Sequence, residues 1–192
     1  MGKVESSFKN MVMTLFIITL VASFALGSIY NLTKGPIAMA ANEAREKAIK
    51  EVIPEFDTLI TLMVKAHNGP DSLTFNKGFK GGEYVGTAIA TFSNNGYDPT
   101  PIRIMVGFLP DGNINNTIVI QQKETPGLGT KMKETKFRDQ FIGKNPSDFK
   151  LKVKKDGGDV DAITAATISS RAFCEAIENA YQTLKKEKEG EK

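Results

Sequence analysis

A run of small and hydroxyl side chains stands directly before the most regular apolar repeat of the sequence. Residues 161–170 read DAITAATISS. The run leads into the start of a predicted helix, where the first backbone amides have no internal partner and the macrodipole favours an anion. A phosphate is therefore stabilised here without Lys or Arg. Ala165 and Ala166 let a ligand approach the backbone, and the Thr167 hydroxyl could bond a phosphate or be esterified to it.

Helix capping alone is the alternative interpretation of residues 161–170. Thr, Ser and Asp are ordinary N-cap residues, and short motifs match by accident. A second candidate segment, residues 124–131 with the sequence ETPGLGTK, holds one proline and two glycines within four positions. Such a segment is a loop with unusual backbone freedom, and a plain surface turn is its alternative.

Residues 161–167 resemble the flavinylation motif Asp-x-x-(Ser/Thr)-Gly-Ala-Thr of FMN-binding domains. In that family the last Thr carries FMN through a phosphoester bond, which a separate flavin transferase installs from FAD. The resemblance makes Thr167 the flavinylated residue and FMN the covalent cofactor, attached through phosphate. Ala165 stands where the motif has Gly. The motif positions fall on Asp161, Thr164, Ala165, Ala166 and Thr167.

The loop at residues 124–129 resembles the Glu-Thr-Pro-Gly-Leu-Gly segment found in the G subunit of Rnf electron-transport complexes. Residues 95–97, a strand with Gly107, and Asp111-Gly112 follow the same order as in that family. The resemblance implies that this loop surrounds the phosphate and ring of FMN. The loop residues concerned are Glu124, Thr125, Leu128, Gly129 and Thr130.

The Rnf resemblance implies an electron carrier that is not catalytic alone. Rnf complexes couple redox chemistry between ferredoxin and NAD to Na⁺ or H⁺ translocation. The implied partners are other membrane and peripheral subunits of the complex, with a flavin transferase for maturation. The implied location is the cell inner membrane, with a single span and the FMN domain on the extracytoplasmic side.

Three other functions remain as alternatives. The chain resembles the C subunit of the sodium-pumping NADH:quinone reductase, which shares the FMN domain but is usually longer. A non-redox anchored assembly module that has lost its flavin is the second, and Ala165 is the feature that favours it. A hydrolase is the third, but no Ser or Cys stands beside a plausible base.

Composition excludes several kinds of site. The 192 residues include one Cys and one His, so an intrachain disulfide, a four-cysteine metal site and a His-rich metal centre are impossible. The formal net charge of +3 does not indicate nucleic acid as a partner. We expect His67 on the surface and Cys174 as a small core residue. Lys150, Lys152 and Lys154 are expected to face water.

An uncharged apolar segment, residues 10–33, predicts a membrane anchor. At about 1.5 Å per residue a helix of this length reaches roughly 36 Å, more than the hydrocarbon core of about 30 Å. The hydroxyls of Thr14, Thr19, Ser23 and Ser28 can bond back to helix carbonyls. A cleaved signal peptide is the alternative, but the apolar run is longer than the usual h-region.

The remaining pattern predicts an α+β protein: one transmembrane helix, then one FMN-binding domain with a mainly antiparallel sheet and flanking helices. We expect a short helix over residues 42–53 capped by Asn42, and another over residues 133–142. Strands are predicted over 83–92, 102–109, 114–121 and 149–153, with Ile114, Ile118 and Ile120 facing inward. The final helix has an apolar stripe from Ile168 to Leu184. The predicted divisions are 1–9, 10–33, 34–54, 55–184 and a frayed charged tail, 185–192.

Overall fold

A computed structural model describes residues 7–190 of the chain. Residues 1–6 of the predicted N-terminal flank and residues 191–192 of the predicted tail lie outside this range. The described chain forms two compact units, of which the first ends at Ala44 and the second starts at Arg45.

Helix α1, Phe8–Val52, is one continuous helix that passes through Pro36. By length and composition it is able to cross a membrane, and its most apolar window is not buried. Of the four hydroxyls predicted to bond back, those of Thr14 and Thr19 donate to the carbonyls of Asn10 and Leu15 at 2.8 and 3.0 Å. The Ser23 and Ser28 hydroxyls make no such bond within the described residues. The expectation of a separate helix capped at Asn42 is wrong, because the chain is already helical there and Asn42 is an interior position.

A five-stranded antiparallel sheet follows, with the strands side by side in chain order. The last three strands and the turn at residues 110–113 confirm the prediction: Leu109 N–H donates to the Asn113 carbonyl at 2.9 Å, and Gly112 has a φ of 90°. The sequence pattern does not predict the first two strands. The strand bounds are β1 Thr58–Lys65, β2 Ser72–Lys80, β3 Glu83–Ser93, β4 Ile102–Phe108 and β5 Ile114–Gln121.

The register of β5 changes near its start. Gly107 pairs with Asn116, but Phe108 pairs with Ile114, so one extra residue sits on β5. Because such a bulge reverses the alternation of faces, Ile114 packs in one core cluster while Ile118 and Ile120 pack against the other. All three isoleucines contact a core cluster, as expected of inward positions, but they do so on opposite faces of the sheet.

Helix α3, Thr167–Gly190, packs through the larger of the two core clusters, and the end of α1 packs through the other. The predicted stripe on α3 is buried from Ala172 to Leu184, with Tyr181 half-buried, but Ile168 is 45% exposed. Cys174 is a core residue as predicted, and burial raises the pKa of its thiol to about 12. Residues 185–190 continue the helix rather than fray, and Glu187 pairs with Lys77 at 2.6 Å.

The segment between β5 and α3 contains little regular structure. Residues 133–142 are predicted to form one helix, but they are divided among three short elements. These are the end of a 3₁₀ turn (Gly129–Lys133), the single helical turn α2 (Thr135–Arg138) and a second 3₁₀ turn (Asp139–Phe141). Residues 149–153 are not a strand: the Asp159 carboxylate accepts the Lys150 N–H at 2.7 Å and folds the segment into a loop. The predicted alternation remains, since Leu151 and Val153 are buried and the neighbouring lysines are exposed.

Candidate functional site

A tight turn delivers the chain to the start of α3. Ala166 N–H donates to the Ile163 carbonyl at 2.9 Å, and the helix begins at Thr167. Ala165 lies inside this turn at φ 60°, the one non-glycine residue with positive φ in the described chain. Ala165 therefore adopts a backbone conformation that favours Gly.

Ser170 fixes the turn from inside the helix. Its buried hydroxyl accepts the Ile163 N–H at 2.9 Å and donates to the Ala166 carbonyl at 3.0 Å. Both ends of the turn are thus held by one side chain. This arrangement sets the direction in which the chain enters α3 and so the position of Thr167.

The first turn of α3 offers free donors. The amides of Thr167, Ile168 and Ser169 have no acceptor within the described residues, and the Thr167 hydroxyl has no partner there either. Thr167 is half-buried, so its hydroxyl is reachable from outside. Unpaired helix amides beside a reachable hydroxyl form a local anion site.

Glu124 ties three segments together beneath this helix start. It is 3% exposed, and its carboxylate accepts the N–H groups of Tyr97 and Asp98 at 2.9 and 3.2 Å. Its other oxygen accepts the Ser169 hydroxyl at 2.6 Å. Because three protein donors occupy the carboxylate, Glu124 acts on the site by holding the loops and the helix in place.

Two glycines make room for the Glu124 carboxylate. A Cβ at Gly129 would lie 2.6 Å from the Ser169 Oγ and 2.7 Å from a Glu124 carboxylate oxygen. A Cβ at Gly96 would lie 2.6 Å from the other carboxylate oxygen. Any larger residue at either position would push the loops away from α3.

These segments enclose a cavity of about 520 Å³, within the usual range for a small-molecule site. Residues of the predicted loop and of the predicted helix start both line this cavity. Of the predicted site residues, Asp161 and Thr164 line a separate cavity of about 390 Å³ with Lys131 and Lys136. The 520 Å³ cavity is lined by Tyr97, Glu124, Thr125, Leu128, Gly129, Ala165, Ala166, Thr167, Ile168 and Ser169.

Thr130 supports the loop and does not line this cavity. Its hydroxyl accepts the Gly127 N–H at 2.9 Å and lies 3.5 Å from the Thr125 carbonyl. The Asp161 main chain is held by Gln140, which accepts its N–H at 2.8 Å, and the Asp161 carboxylate pairs with Lys154 at 2.8 Å. Thr130 and Asp161 therefore stabilise the segments on which the cavity residues lie.

Charged groups near the site pair with each other. Arg171 on α3 donates to both oxygens of Asp156 at 2.6 and 2.7 Å, and this contact lowers the pKa of the Asp156 carboxyl. Hydrogen bonds from Thr100, of which that from its side chain is the larger cause, lower the pKa of Asp98.

His67 is exposed, as predicted. Within residues 7–190 no group of His, Cys, Asp and Glu side chains is arranged to hold a metal ion.

Sequence patterns do not assign three of the cavity residues, Tyr97, Ile168 and Ser169, to the site. Periodicity places Ile168 in the core stripe of α3, and the Ser169 hydroxyl matches no motif position. Tyr97 is noted in the sequence only because residues 95–97 stand in the same order of segments as in the family that the chain resembles. Its neighbour Gly96 is the available signal, because Gly is used where the backbone must approach another group closely.

We expect Ala165→Gly to stabilise the protein. A non-glycine residue in the left-handed region costs about 1–2 kcal/mol, and the greater freedom of Gly in the unfolded chain offsets part of this gain. The net increase in the free energy of unfolding should be about 1 kcal/mol, measured by urea denaturation of the full chain in detergent. Ala162→Gly, at an exposed position of the same segment with ordinary φ, is the control and should show no gain. Equal changes in the free energy of unfolding of both variants would show that the backbone at Ala165 is not strained.

We expect Ser169→Ala to destabilise the protein by about 1–3 kcal/mol, because it leaves one oxygen of the buried Glu124 carboxylate without its donor. The same urea titration measures it. Ser147→Ala, where the hydroxyl is exposed, should change the free energy of unfolding by less than about 0.5 kcal/mol. A Ser169 variant as stable as the Ser147 variant would show that Glu124 does not depend on this bond.

Comparison with known families identifies one domain. Residues 96–182 match the family model described as FMN-binding domain. The match includes the Glu124 loop, the turn at Ala165 and most of α3.

Curated relatives cover nearly the whole chain. The chain is 32% identical to the G subunit of the ion-translocating oxidoreductase complex of Aliivibrio fischeri, over 93% of this chain and 91% of the relative. It is 29% identical to the protein of the same name in Methanosarcina acetivorans, over 89% and 91%. It is 30% identical to the G subunit of the Na(+)-translocating ferredoxin:NAD(+) oxidoreductase complex of Acetobacterium woodii, over 90% of each chain.

Proposed function

The chain belongs to the family formed by the G subunits of ion-translocating oxidoreductase complexes, and from this membership we propose that it carries FMN covalently on Thr167 and relays electrons through it. The attachment is a phosphoester between the Thr167 hydroxyl and the FMN phosphate, installed by a flavin transferase that uses FAD. The partners are the other subunits of such a complex.

The observation that carries this proposal is the meeting of a reachable Thr167 hydroxyl, three unpaired helix amides and an apolar-walled cavity at one place. A covalently held phosphate at Thr167 would lie against the amides, which offset its charge. Leu128 and Ile168, 38% and 45% exposed, offer apolar surface for a flat ring. The residues present therefore fit FMN.

The side chains supply position and environment for the flavin. When bound, its isoalloxazine ring would supply the electron chemistry of the relay. Glu124, Ser169 and Ser170 hold the loop and the helix start in register around the cavity. The backbone amides of α3 would hold the phosphate, and Leu128 and Ile168 would limit the access of water to the ring.

The strained left-handed turn at Ala165 favours flavin binding over the assembly-module alternative. Ala165 has a φ of 60°, and such local backbone strain clusters at ligand and active sites. The free Thr167 hydroxyl and the cavity favour the same choice.

The direct test is co-expression of the full chain with a flavin transferase. We expect a fluorescent band on a denaturing gel, and an intact mass increased by one FMN less water. An unmodified chain, with the transferase active on a control substrate, would overturn the proposal of covalent FMN.

We further propose that α1 anchors the chain in the cell inner membrane and that the FMN domain lies on the extracytoplasmic side. Outside the cytoplasm no FMN pool would replace a lost cofactor, so a covalent bond has a clear advantage there. A phosphatase that is active only outside the cytoplasm, fused after the last residue, should be active. An inactive fusion that is made in full would place the domain on the cytoplasmic side.

A further inference from the structure

The domain exposes few large apolar side chains, and three of them surround one cavity. From Arg45 to Gly190, the exposed large apolar residues on the cavity wall are Tyr97, Leu128 and Ile168. They come from three separate segments of the chain. Tyr97, at 70%, is the most exposed large apolar side chain of the described domain.

The backbone of Tyr97 is fixed although its ring is exposed. Its N–H donates to the buried Glu124 carboxylate at 2.9 Å, and the preceding Gly96 packs so closely that a Cβ would lie 2.6 Å from the same carboxylate. The phenol hydroxyl has no hydrogen-bond partner within the described residues. An aromatic ring held at a cavity mouth by a rigid backbone is suited to contact a ligand.

We propose that Tyr97 is a binding residue that stacks against the isoalloxazine ring of the flavin. The inference rests on the proposed attachment of FMN to Thr167, which lines the same cavity. Stacked aromatic pairs contribute beyond the area that they bury, and isoalloxazine is a large flat aromatic system. Leu128 and Ile168 then supply the aliphatic part of the ring's surroundings.

A stacked tyrosine has a spectroscopic consequence that a purely structural residue lacks. An excited oxidised flavin takes one electron from a phenol in contact with it and returns that electron, so fluorescence is quenched with no net reaction. The chain has four Tyr and no Trp. Tyr84 hydrogen-bonds Thr87 and Tyr181 packs beside Phe108, and of the described tyrosines only Tyr97 lines the cavity.

The test measures flavin fluorescence of the full, flavinylated chain in detergent, first folded and then unfolded in denaturant, per mole of covalent flavin. The unfolded value is the internal reference for each variant. We expect the parent protein to brighten severalfold on unfolding. Tyr97→Phe and Tyr97→Leu should already be bright when folded, because neither side chain is oxidised by excited flavin. Tyr181→Phe, the matched control, should behave like the parent.

Covalent attachment keeps the two proposals separable. If all variants carry flavin but Tyr97→Phe and Tyr97→Leu remain as dim as the parent when folded, Tyr97 does not contact the ring. A parent protein that does not brighten on unfolding leads to the same conclusion, as does a folded Tyr181→Phe that is as bright as the Tyr97 variants. If the parent chain carries no covalent flavin, the attachment at Thr167 fails, and the role of Tyr97 fails with it.

Discussion

We expect Thr167→Val to carry no covalent flavin and to keep the free energy of unfolding within about 0.5 kcal/mol of the parent value. The exchange deletes the oxygen that we propose forms the phosphoester and keeps a branched side chain of similar size. The Thr167 hydroxyl makes no hydrogen bond within the described structure, so its loss leaves no buried group unpaired. The measurement is intact mass and in-gel fluorescence after co-expression with the transferase, beside a urea titration.

Thr167→Ser is the matched control for that variant. It keeps a hydroxyl at the first position of α3, and we expect it to retain covalent flavin. Mass mapping of the parent should place the added FMN on the peptide that contains residue 167. Covalent flavin on the Val variant would place the attachment elsewhere, and equal loss of stability in both variants would assign Thr167 a structural role.

Gly107→Ala should have the largest effect on stability. A Cβ at this position of the interior strand β4 would lie 1.7 Å from the Val52 carbonyl oxygen at the end of α1. That oxygen also accepts the Asn115 side-chain N–H at 2.9 Å, and Asn116 donates to the Glu51 carbonyl at 3.1 Å. Neither the strand nor the helix end can move without breaking this arrangement. We expect a loss of at least about 3 kcal/mol.

For a protein of this size the loss corresponds to a Tm lowered by roughly 6–12 °C, measured by circular dichroism of the full chain in detergent. Gly190→Ala is the control, since a Cβ there meets nothing within 4 Å. It should leave the Tm unchanged or slightly raised. A Gly107 variant that melts with the parent would show that the end of α1 does not pack on β4 as described.

Local chemistry predicts much of the fold. Three strands alternate or are rich in β-branched residues, and the Pro-Asp-Gly-Asn turn between two of them has its own conformational preference. These features depend on neighbours in sequence, so they can be recognised without knowledge of the rest of the chain. Strand β1 escapes prediction because it lies at the sheet edge with apolar residues exposed on it, so no alternation marks it.

The bulge at the start of β5 and the loop at residues 149–153 depend on distant partners. The alternation of isoleucines in β5 continues across the bulge in sequence, but the pairing with β4 reverses the face. Residues 149–153 alternate like a strand, and the Asp159 carboxylate folds them into a loop. In both cases a tertiary contact overrides a correct local pattern.

For the site, the sequence determined the chemistry and the tertiary structure decided its surroundings. Residue types alone indicated a hydroxyl acceptor at the start of a helix, an apolar glycine-containing loop, and an anchor long enough to span a membrane. Only folding brings residues 96–98, 124–129 and 165–169 together, because one buried carboxylate at Glu124 joins all three through hydrogen bonds. Those bonds link positions up to 45 residues apart, and no spacing in the sequence encodes them.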